Sequence, residues 1–211
     1  MATLDVAQYV TAPKGGTVNA QTLLSVDPGG ALVVMDFFAK AILDGRGFQV
    51  RAGTITTPLS ADVVITDTAA EMCADAAAGF VILPIFLQVD IEALVGTLPQ
   101  IAAKSVATVS SAGTAFVPLP LKSGGAAAAT TARVSAAGGV TVTAELATTT
   151  PVHYIQTLAV AADAQARWEP LRPPVLNGPR CFYVQVASVT TGSTYFANFN
   201  YLEFTASQLG M

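Results

Sequence analysis

The chain has 211 residues, of which 52% are hydrophobic and 11% charged, with a net charge of −4 and a mean hydropathy of +0.55. A soluble domain ordinarily carries roughly 25% charged residues; here 38 Ala and 24 Thr fill the space. The acidic balance and the scattered Lys and Arg argue against a genome-coating role, and the longest apolar run, Gly79 to Leu87 with Pro84 inside it, is too short for a membrane-spanning helix.

Residues 1–45 read as an N-terminal arm or accessory segment, and residues 46–211 as one β domain. Met1 to Asp5 carry no basic residue ahead of an apolar run, so no secretory signal is expected. Asp27-Pro28 has the pattern of a helix N-cap followed by proline at the first helical position. Asp36, Lys40 and Asp44 recur every four residues, which on a helix makes one polar stripe with Asp36 paired to Lys40 and Gly45 as the cap. Leu32 to Met35 and Phe37-Phe38 are equally good strand residues, so helix and strand both stand open for 31–43.

From residue 48 onward the β signal dominates. Phe48 to Thr56 alternates in its first half, and Val63 to Thr66 follows. In Phe80 to Glu92, the polar positions Gln88, Asp90 and Glu92 alternate with Leu87, Val89 and Ile91; Pro84 predicts an edge or a bulge midway. Further strands are expected at 103–110, 114–121, 130–135, 139–147, 152–160, 181–190 and 194–205. Gly-containing turn signals separate them at short intervals, the pattern of a sandwich or barrel. The expected fold is all-β, a double-sheet jelly-roll sandwich of about eight strands with an extended N-terminal arm. Residues 123–131, with Gly124-Gly125 and four alanines, read as a mobile low-complexity loop. Residues 166–180 are rich in proline and read as an extended surface segment.

Chemistry-bearing residues are few. His153 is the single histidine and stands among strand residues, where a structural or surface role is expected. Cys73 and Cys181 are 108 positions apart and read as buried free thiols. Asp90 and Glu92 share a strand face, and Asp62 and Asp67 flank an apolar tetrad, but neither pair sits in a loop with the spacing of a calcium site. Nucleophile-elbow, C-x-x-C, H-E-x-x-H and P-loop patterns do not occur. The sequence therefore predicts no enzyme, no catalytic residue, no cofactor and no metal. Trp168, flanked by Arg167 and Arg172, is the expected interface anchor, because Trp and Arg are favoured there and can stack as cation–π pairs.

Gly53 to Pro58, Ile65 to Cys73, Ala78 to Pro84 and Gly96 to Pro99 resemble segments of jelly-roll capsid-decoration and minor capsid proteins of tailed bacteriophages. The resemblance covers about 48–205 and is one of style and strand order, so no functional residue is carried over from it. It implies a virion structural protein made in the host cytoplasm and placed on the capsid surface, in contact with other capsid proteins and not with membrane or nucleic acid. The charge-poor surface adds the expectation of self-association, as a homotrimer, since large neutral surfaces usually end against other protein. A tail-fibre or receptor-binding head, the major capsid protein of a tailless phage and a cupin-like enzyme are the alternatives; the last needs clustered histidines.

Overall fold

In the computed structural model, residues 36–93, 98–135, 139–144, 150–159, 164–188 and 193–211 are described. A short helix, α1 (Phe37–Leu43), comes first. The Asp36 carboxylate caps it, accepting from the backbone N–H groups of Phe38 and Ala39 at 2.9 and 3.2 Å. Lys40 pairs with Asp44 at 2.8 Å, not with Asp36 as the sequence suggested, because the cap occupies Asp36. Over 37–43, then, the ambiguous segment is helix; the Asp27-Pro28 signal lies outside the described residues. Gly45, at φ 78, turns the chain out of the helix in a conformation that favours glycine.

Among the described residues, sixteen strands follow. The first six are β1 (Gly47–Ala52), β2 (Leu59–Ser60), β3 (Ala69–Ala70), β4 (Met72–Ala76), β5 (Phe80–Ala93) and β6 (Gln100–Val106). Then come β7 (Ser111–Ala112), β8 (Thr114–Phe116), β9 (Leu119–Pro120), β10 (Thr131–Val134) and β11 (Val140–Thr141). The last are β12 (Val152–Thr157), β13 (Gln165–Trp168), β14 (Leu176–Asn177), β15 (Arg180–Ala187) and β16 (Thr194–Thr205), with a final 3-10 turn at Ala206–Leu209. The described chain is mainly β and its sheets are antiparallel.

One sheet has the order β13-β5-β16-β1-β9, with β14 also on β5 and β2 on β16. A second has the order β12-β6-β15-β4-β10-β8, and a small third sheet the order β3-β11-β7. Alternation along the strands faces the first two sheets toward each other. Val50 of β1, Leu87 and Val89 of β5 and Tyr195, Phe199 and Tyr201 of β16 meet Met72 and Ala74 of β4, Ile101 of β6 and Phe182 and Val184 of β15 in one buried cluster. Ring contacts such as Phe182–Phe199, 5.2 Å between centroids and edge-on, cross between the sheets. Pro84 lies where the β5–β16 register shifts, between Asn200 and Tyr201, the bulge its missing N–H calls for. The extra residue lies on β5, so its facing switches there: Leu87 and Val89 point into the core, Val81 and Leu83 point outward like Leu202 and Phe204 of β16. These four and Ala41 of α1 form a satellite cluster on the outside of the first sheet.

The outside of the second sheet is covered differently. Cys73 of β4, Val106 of β6 and Cys181 and Tyr183 of β15 pack beneath Ala70 of β3 and Val140 of β11. Both cysteines are buried free thiols.

Three sequence expectations change. Val63 to Thr66 form no strand: Val63 and Val64 make an exposed bend beside an isolated bridge at Asp62, and Ile65 and Thr66 are irregular. The loop 123–131 is fastened at its end: Glu203 accepts from the backbone N–H groups of Ala129 and Thr130 at 2.9 and 2.7 Å and from the Thr130 hydroxyl. The start of the proline-rich stretch is strand, since residues 165–168 pair with β5 along the sheet edge.

Candidate interaction surface

The first sheet turns a patterned face outward. Residues on β1, β16, β5 and β13 that alternate with the core fall into lateral rows. Arg51, Asn198, Gln88 and Arg167 form one row; Phe196, Asp90 and Gln165 form the next toward one end, and Gln49, Asn200 and Phe86 toward the other. Asp90 is fixed by two amides, accepting from Gln88 Nε2 at 2.8 Å and Gln165 Nε2 at 2.6 Å. A depression of about 400 Å³ lies at this end of the face, lined by Asp90, Glu92, Gln165, Phe196 and Ile55. Glu92 accepts from the Thr194 hydroxyl at 3.3 Å. The carboxylate pair expected on one strand face is therefore present, knit into an amide network.

The three anticipated anchor residues separate. Arg167 belongs to the outer face, its guanidinium 5.5 Å from the Phe86 ring centroid and paired with Glu169. Trp168, one position on, points the other way. It is half-buried against the central cluster, stacked on Phe182 at 6.1 Å and near Tyr154 at 6.2 Å. Trp168 is thus an intramolecular packing residue, and the arginine sandwich around it does not form; alternation along β13 sends its neighbour to the opposite face. Arg172 is exposed on an excursion of the sheet edge between β13 and β14, next to Leu171, which is 99% exposed. Pro170, Pro173 and Pro174 in this excursion supply no N–H to a further strand, which blunts that edge against unplanned pairing. His153 sits at the β12 bulge, 3.0 Å from the Ser105 hydroxyl; burial, then the charge of Arg180, lowers its pKa.

Two buried acidic centres escaped the sequence reading. At the start of β4, Glu71 accepts from the Tyr195 hydroxyl at 2.9 Å. Burial, then the charge of the neighbouring Asp62 carboxylate, pushes the Glu71 carboxyl up to about 7. The same site, with desolvation first, holds the Tyr195 hydroxyl well above its ordinary range. On the covered side of the second sheet, Asp75 accepts from the Ser110 N–H at 2.8 Å and from its hydroxyl at 2.6 Å, with Arg133 Nε 3.7 Å away. Arg133 Nη1 also donates to the Ala112 carbonyl at 3.1 Å, so the pair ties β4 and β10 to the small sheet. The only hint in the sequence was the placing of lone acids, Glu71 and Asp75, in an otherwise small and apolar run.

No helix among the described residues is long and apolar enough to cross a membrane. Comparison with known proteins finds no matching family model, no matching curated protein and no matching solved structure.

Proposed function

We propose that this chain is a virion structural protein, a jelly-roll subunit that decorates or cements a capsid shell through protein–protein contacts. The observation that carries the reading is the interleaving of strands. Setting aside the insertion 107–151 and the two-residue strands β2, β3 and β14, eight strands remain: β1, β4, β5, β6, β12, β13, β15 and β16. The first, eighth, third and sixth lie in one sheet, and the second, seventh, fourth and fifth in the other. We read this interleaving as two nested Greek keys, and it supports a jelly roll, a fold common in viral capsid proteins. The charge-poor composition supports the same reading, since such a surface favours burial against neighbours. The expected state is a homotrimer on the capsid exterior, with the outer face of the first sheet and the Leu171–Arg172 excursion available for contacts. Sedimentation at micromolar concentration, followed by co-pelleting with the cognate empty capsid, tests it. A trimer that pellets with capsids is the expected result; a stable monomer that stays in the supernatant overturns it.

A second reading is favoured by one feature. Phe196 and Phe86 beside amides and a preoriented carboxylate are the chemistry of a saccharide platform, as a receptor-binding head would use. Glycan-array binding abolished by Phe196→Ala, with no affinity for capsids, would move the assignment to that reading.

A further inference from the structure

We propose that Cys73, Asp75 and Cys181, with Ser110 beside them, form a binding site for a thiophilic divalent metal ion of the zinc type on the covered face of the second sheet. The strand register brings the donors together. Met72, Ala74 and Ala76 of β4 face the core, so Cys73 and Asp75 face outward beneath the small sheet. On β15, Cys181 pairs directly with Asp75, while Tyr183 pairs with Cys73. Cys181 is therefore level with the carboxylate and diagonal to the other thiol. One donor atom from each of the three residues lies within 4.8 Å of the other two, and all three residues are buried.

Tetrahedral zinc, with Zn–S bonds of about 2.3 Å, holds its sulfurs roughly 3.8 Å apart. A side of 4.8 Å, the longest the cluster allows, would contract by roughly 1 Å, a side-chain adjustment. Ser110 stands at the open corner. Its Oγ is 3.0 Å from Cys73 Sγ and 2.6 Å from Asp75 Oδ2. The fourth position is thus supplied by this hydroxyl or by a water in its place. The donor set is selective: two sulfurs with a carboxylate suit zinc, cadmium or cobalt and are poor for magnesium or calcium. Charge also closes. Two thiolates, one carboxylate and a divalent ion sum to −1, and Arg133, 3.7 Å from Asp75, supplies the compensating charge from outside the ligand shell. A disulfide is the competing use of two close thiols. Diagonal neighbours on antiparallel strands have Cα atoms about 7–8 Å apart, at or beyond the reach of a disulfide.

Ala70, Val106, Val140 and Val142 seal the cluster from water. Metal must therefore enter before the small sheet closes, which directs the experiment toward loading during folding. The full chain is denatured with reductant, refolded with Co²⁺ alone, and freed of excess ion. The expected result is one Co²⁺ per chain with a near-ultraviolet thiolate-to-cobalt band, lost in both Cys73→Ser and Cys181→Ser. Refolding with Zn²⁺ at a hundredfold excess over Kd should raise the thermal midpoint by at least about 5 °C. If a serine variant does not fold, X-ray absorption of the wild-type chain refolded with Cd²⁺ counts the sulfurs on the ion, and two are expected. The site is overturned if the refolded wild type shows no thiolate band, if the band survives in both variants, if cadmium has no sulfur neighbour, or if the thiols prove to be disulfide-linked.

Discussion

The two outward faces of the sandwich are built on the same plan and finished in opposite ways. The second sheet is roofed by its own chain: β3, β7 and β11 close over Cys73, Asp75 and Cys181, so every polar group there needs a partner within the fold. The first sheet is covered at one end by α1; further along, it presents two half-buried phenylalanines, mostly half-buried amides and two exposed arginines. Burial on both faces removes the alternation that marks a strand, whereas a face left to water or to a partner keeps it.

The largest effect is expected where the roof is fastened. Asp75→Ala removes the acceptor of two Ser110 hydrogen bonds and leaves Arg133 without its counter-charge. The expected loss is about 4 kcal/mol in urea unfolding, in the range for breaking a buried ion pair. A loss below about 1 kcal/mol would mean that the roof is held by apolar contact alone.

Next comes the rim, where Glu71 meets Tyr195 and Asp62. Its folded pKa, about 7, lies above the ordinary 4.5, so the folded state binds the extra proton. The stability linked to Glu71 is complete below about pH 4.5 and is lost as pH rises toward 7. Glu71→Gln removes that dependence and should stabilise the protein above pH 7 by about 3 kcal/mol, with no gain at pH 4. Thermal melts of both proteins across this range check it; a parent profile as flat as the variant's would refute the raised Glu71 carboxyl.

The smallest effects separate adjacent residues on opposite faces. Trp168→Ala removes a half-buried ring stacked on Phe182 and should cost about 2 kcal/mol, less than a full core truncation. Arg167→Ala touches the exposed pair with Glu169 and should cost under about 0.5 kcal/mol. Equal stability losses in the two variants would erase the distinction between faces.

What the sequence made legible follows the same division. The strands that keep one polar face, Phe80–Ala93 and Thr194–Thr205, were evident from period-two alternation. Met72–Ala76 was not, because all five of its residues are buried and the run shows no alternation. Val63 to Thr66 has strand composition but no neighbour to pair with beyond the bridge at Asp62. Trp168 was singled out as an interface anchor, whereas it packs inward on Phe182; its direction depends on β13 being a strand, which the following prolines concealed. The Cys73–Asp75–Cys181 group was out of reach altogether. Three residues spread over 108 positions meet only through the β4–β15 register, a long-range pairing that no local pattern encodes.

The position of β16 has a consequence for biosynthesis. This strand comes last of the described strands, yet it lies between β5 and β1 in the middle of its sheet, and β15, made just before it, lies between β4 and β6. A ribosome that has not yet delivered residues 180–205 holds a chain whose sheets each lack a central member. Neither half of the core can close during translation, and folding is postponed until synthesis of the domain is finished. Such topologies, dominated by distant pairings, fold slowly. An unfinished chain has no completed face of either sheet to offer to anything outside itself.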